Sequence, residues 1–184
     1  MPIKLKISKL DAAKRQLETA IILYFHEADP VSIHALASAG YDVLNDLNRR
    51  TGGTPMMIKD RFINEIKPEH RKMLLAKINK ARNFFKHASR DSDTSLDFSP
   101  GQSELLLLDA CDKYRQISNE FPPLFKLFRS WYMLKHPDLC PVSGELAAQI
   151  SKLSLEFAAS TKQQYFIDML PYMTGLSIGS SQSD

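Results

Sequence analysis

Four residues separate Arg82 from His87, with Asn83 directly after the arginine and Lys86 directly before the histidine. A guanidinium carries a fixed charge and a planar fork of donors that fits two phosphate oxygens at once. An imidazole titrates near neutral pH and can take or give a proton there. Together the two groups can bind a phosphodiester and move its protons without a metal. On a helix, Asn83 and His87 lie one above the other, and Arg82 stacks with Lys86 one position round. The groups share a polar face, yet the arginine and the histidine diverge along it. Taken singly, each has a plainer role. His87 near a helix C-terminus interacts with the helix dipole, and Arg82 pairs with an acid such as Asp91 or Asp93.

The element that must carry these residues opens at Lys67-Pro68-Glu69, where proline suits the first turn and the acid suits the positive end of the dipole. Leu74, Ile78, Ala81, Phe85 and Ala88 form its apolar stripe, and Asn79, Asn83, Lys86, His87 and Arg90 the polar stripe beside it. Upstream, Leu10, Ala13, Leu17, Ala20, Ile21 and Tyr24 predict a helix from just after Ser8 to about Glu27. Asp29-Pro30 caps and starts a second, to about Arg50, with Ile33, Leu36, Ala37, Gly40, Leu44 and Leu47 on one face. Ala37 and Gly40 allow a close helix approach there, which offsets about 1 kcal/mol of helix propensity lost at the glycine. Thr51 to Pro55 reads as a loop whose two glycines lack the spacing of a phosphate-binding loop. A short helix is expected over Met57 to Ile66.

Ser89 to Ser103 reads as a loop, with Thr94 to Phe98 as a short extended segment. Further helices are expected from Ser99-Pro100 to about Asn119, Leu124 to Lys135, Glu145 to Ala159 and Lys162 to Met169. Leu105 to Leu108 should be buried on more than one side. The fold class is all-α, an antiparallel helical bundle with additional C-terminal helices. One domain is expected over residues 1–176, with its core at about 8–120, C-terminal helices at about 122–176 and a flexible tail over 177–184.

Charge is unevenly placed. Lys59 to Arg90 holds ten Lys or Arg and three acids, a net of +7 in a chain of net +3, which leaves −4 elsewhere. A concentrated positive field suits a polyanion such as RNA; the plainer account is a solvated helix face. The first ten residues alternate charged and apolar types and do not form a signal peptide. Ala20 to Phe25 and Leu105 to Leu108, the longest apolar runs, are far too short to span a membrane. Cys111 and Cys140 lack metal-ligand spacing and read as reduced thiols of a cytoplasmic protein. His26, His70 and His136 have no partners at metal spacing, so no metal and no cofactor are expected.

An all-α chain whose basic helix ends in Arg82-Asn83-Phe84-Phe85-Lys86-His87 resembles the HEPN superfamily. Those proteins are small helical bundles marked by Arg, four to six intervening residues and His, with a polar residue usually following the Arg. The resemblance covers about residues 8 to 120. It implies a metal-independent endoribonuclease in which the RNA 2′-hydroxyl attacks the adjacent phosphate and leaves a cyclic phosphate. His87 would be general base or acid, Arg82 the phosphate clamp, Asn83 the residue orienting His87 or the backbone, and Lys86 an added positive charge. It further implies a homodimer in which motif helices of two subunits meet in one composite site. A toxin or phage-defence setting, with an antitoxin or other protein partner, follows by the same analogy. Members without activity imply the alternative, a non-catalytic helical module that binds RNA, nucleotide or protein. Many active members carry Tyr two residues beyond the His, where this chain has Ser89. His34, on the polar edge of the second helix, is a candidate substrate contact whose plainer role is an interface histidine. Phe125, Phe128, Trp131 and Tyr132 could stack bases, but their helical spacing fits a core or dimer interface.

Overall fold

A computed structural model describes residues 4–65, 67–87, 93–139 and 144–175. The chain is all-α: the described residues form helices and no strand, including none over Thr94 to Phe98. Helix α1 (Lys9–Phe25) starts at a capping box, where Ser8 Oγ accepts from Asp11 N at 3.0 Å and the Asp11 carboxylate accepts from Ser8 N at 3.2 Å. Helix α2 (Pro30–Arg50) starts where Asp29 accepts from Ser32 N at 2.8 Å, with Pro30 at the first helical position. The two form an antiparallel hairpin. Its seam buries Ala13, Leu17, Ala20 and Ile21 together with Ile33, Ala37 and Leu44. At Gly40 a β-carbon would stand 2.7 Å from Leu17 Cγ and 3.2 Å from the Ala13 carbonyl oxygen, so the helices approach more closely than any side chain there permits.

Helix α2 turns a second face toward α5 (Gly101–Ser118), where Leu106, Leu107, Ala110 and Cys111 are buried. The leucine run is less enclosed than its composition suggests. Leu106 and Leu107 are buried, but Leu105 is 44% exposed, because the outer side of α5 has no full cover there. Helices α6 (Pro123–Lys135) and α8 (Lys162–Thr174) complete the core. Phe125, Phe128, Trp131 and Tyr132 are all buried. Trp131 meets Phe25 of α1 and Tyr165 of α8, and its Nε1 donates to Tyr24 Oη at 3.1 Å. The aromatic residues of α6 thus belong to the core and offer no open platform for bases.

Two boundaries differ from expectation. Helix α7 (Glu145–Glu156) stops short of Ala159, and α8 runs beyond Met169 to Thr174 with Pro171 inside it. Pro171 lies in the last turn, where the helix forfeits one N–H bond and still closes; Gly175, at φ 72°, supplies the left-handed stop. The expected short helix after Pro55 is instead a π-helical turn (Met57–Phe62) followed by one turn of α3 (Ile63–Glu65). Helix α4 (Pro68–Lys86) then lies against α2 and α3. Ala81 is its one buried side chain among those described, with Ile78 and Phe85 half-buried along the same stripe.

Candidate functional site

The motif residues sit at the C-terminal end of α4, on the side that faces α2 and solvent. Arg82 reaches across to α2, where its Nη1 donates to Asp42 Oδ2 at 2.5 Å. Its Nε and Nη2 donate to Asn83 Oδ1 at 3.3 and 3.1 Å. The other Asp42 oxygen accepts from Lys59 Nζ at 2.7 Å, and that ammonium also lies 5.0 Å from the centre of the Tyr41 ring. One carboxylate therefore serves two cations, one per oxygen. The Arg82 and Asp42 side chains are 27% and 32% exposed, so the pair matters more for position than for stability. A guanidinium has five N–H donors, and these contacts leave two for another acceptor. Beside it, Ala35, Ala39, Asp42, Arg82, Phe85 and Lys86 line a groove of about 240 Å³ between α2 and α4. Asp42, Lys59, Arg82 and Lys86 together carry a net positive charge.

The acid that meets Arg82 is Asp42, forty residues upstream, not Asp93; Asp91 lies outside the described residues, as do Ser89 and Arg90. Asn83 turns its side chain to Arg82, while its carbonyl accepts from the His87 backbone N–H at 3.0 Å. His87 is the extended residue that ends α4, with φ −136° and ψ 120°, and it is exposed. Among the described residues no hydrogen bond joins Arg82 to His87. Lys86 opens to solvent on the groove edge. His34 is 1% exposed, its Nδ1 lies 3.1 Å from Ser103 Oγ, and its ring meets the edges of Phe85 and Phe98. Burial pushes its pKa down, so the imidazole is neutral at neutral pH. It supports α4 through Phe85 from inside the molecule.

What places Lys59 is a buried polar cluster that local spacing did not single out. Asp109 of α5, 4% exposed, accepts from Tyr41 Oη at 2.8 Å and from the backbone N–H groups of Met57 and Ile58, each at 3.0 Å. Burial and the Asp109 charge push the Tyr41 phenol far up. Lys113, 2% exposed, donates to the Thr54 carbonyl at 2.6 Å and to Gln116 Oε1 at 2.9 Å. Asn48 Nδ2 donates to the same Thr54 carbonyl at 2.8 Å. A buried Asp109 thus fixes the start of the π-helical turn, the turn presents Lys59, and Lys59 shares Asp42 with Arg82. The one trace in the sequence is a second stripe on α2, His34-Ser38-Tyr41-Asn45-Asn48, polar and at helical spacing.

Among the described residues no helix is long and apolar enough to cross a membrane. The chain matches no protein-family model, and comparisons with curated proteins and with solved structures find no relative.

Proposed function

We propose that this chain is a HEPN-like, RNA-directed protein that cleaves RNA without a metal, in a site completed by a second copy of itself. The observation that carries this reading is the state of Arg82. Asp42 and Asn83 fix it at the edge of an open groove, with donors left over and Lys86 alongside. A held guanidinium is a pre-paid phosphate clamp, since little side-chain freedom remains to be lost on binding. His87, exposed at the end of the same helix, supplies the imidazole for proton transfer. A two-fold pairing of α4 helices would bring the His87 of one copy to the Arg82 of the other, the arrangement that the divergence of the two groups on one helix requires.

A second reading, an RNA-binding module without catalysis, is favoured by the partners of Arg82. Asp42 offsets part of its charge, and Asn83 serves Arg82, leaving His87 without an orienting side chain from that residue. The two readings separate when single-stranded RNA is incubated with the protein in EDTA and the products are examined for cyclic phosphate ends. Cleavage lost by about a hundredfold or more in Arg82→Ala and in His87→Ala, with helicity unchanged, supports the ribonuclease. Salt-dependent binding with intact RNA supports the module. Absence of both binding and cleavage refutes both readings.

A further inference from the structure

A second cavity, of about 230 Å³, opens where α2, the π-helical turn, α4 and α5 converge. Its walls are mostly apolar, from Ile58, Ile78, Leu105 and Leu106, while Lys77 and Gln102 stand at its solvent side. His34 forms part of the inner wall. It uses Nδ1 toward Ser103, but its Nε2 is buried with no hydrogen-bond partner among the described residues.

We propose that this cavity binds a small organic monoacid, its carboxylate at Lys77 and Gln102 and its apolar body between Ile58, Ile78, Leu105 and Leu106. Volume sets the size of the body. An apolar cavity of roughly 150 Å³ accepts benzene, so this one suits a single ring or branched chain with a short tail, and it is too small for a nucleotide. Charge sets the sign of the head group. Lys59 and Arg82 do not line this cavity, whereas Lys77 makes no ion pair among the described residues and is the one charged side chain on its wall. Access is open, since Leu105 is 44% exposed and Gln102 also faces solvent. The site is separate from the groove beside Arg82, and it stands or falls independently of the RNA reading.

The test uses the full chain, isotopically labelled, with 3-phenylpropionate as the probe and 3-phenylpropan-1-ol as its uncharged counterpart. Saturable amide shifts centred on Lys77, Ile78 and residues 102–106 are expected, with the alcohol about tenfold weaker. Lys77→Gln should bring the acid down to the affinity of the alcohol. Leu105→Trp, at an exposed wall position, should block both; Gln102→Trp serves the same purpose if the first variant fails to fold. Shifts confined to another surface, equal affinity for acid and alcohol, or no saturable binding would each overturn the proposal.

Discussion

Asp42 decides how Arg82 meets any ligand. Its two oxygens hold two cations, so the carboxylate both positions the guanidinium and masks some of its charge. Asp42→Asn keeps the shape and releases both Lys59 and Arg82 electrostatically. If Arg82 contacts phosphate, the variant binds single-stranded RNA more tightly at low salt. Its plot of log affinity against log salt then steepens by about 0.7 for each cation freed. Fluorescence anisotropy between about 50 and 200 mM salt reads this directly, and an unchanged slope would remove Arg82 from the RNA contact. Folding stability should fall by about 1–3 kcal/mol, because Lys59, whose side chain is only 11% exposed, loses its counter-charge. The residues of this motif were legible from their types and spacing, but their partners were not. A charged side chain finds its counter-ion through the fold, and Asp42 lies in the sequence far from the acids nearest to Arg82.

At the scale of the element, α2 organises the molecule, with one face closed on α1 and the other on α5 and α4. The α1 contact is tight enough to be tested at a single atom. Gly40→Ala gains about 1 kcal/mol of helix propensity, but its methyl meets Leu17 and the Ala13 carbonyl, one a side chain and the other fixed backbone. Overpacking of this kind costs about 1–3 kcal/mol, so a net loss is expected as a lower urea midpoint with unchanged slope. A stabilised variant would show that the α1–α2 seam can relax. The caps at Ser8 and Asp29 and the apolar stripes of α1 and α2 were readable because they depend on neighbours within a turn or two. The π-helical turn was not readable, since Asp109 holds its first N–H groups from about fifty residues away. The same cause hid the burial of His34, Tyr41 and Asn48, polar residues that enter the interior only because α5 and the loop after α2 supply partners.

Across the whole molecule, apolar burial is concentrated in α1, α2, α5, α6 and α8, while the basic segment rides on α4 at the margin of that core. The all-α class was visible in the periodicities; the relation of α4 to the core was not, because its stripe is only half-buried. Stability should follow pH through His34. Its folded pKa lies below the ordinary value, so between the two the unfolded chain binds more protons. The stabilising contribution is therefore complete above about pH 6.5 and is lost as pH falls below it. Urea unfolding at several values between about pH 5 and 8 should show that slope, and His34→Gln should flatten it; an identical slope in both proteins would assign the effect elsewhere. The loop from Thr51 to Gly53 has a different consequence. Gly52 is exposed, and a β-carbon there would touch nothing within 4 Å. Asn48 on one side and Lys113 on the other both grip Thr54, and α2 is independently seated on α5. Covalent continuity at Gly52 thus adds little to what already holds the two segments in place. The molecule carries a natural seam, at which it could be divided into complementary fragments or given new termini with the α2–α4 groove intact.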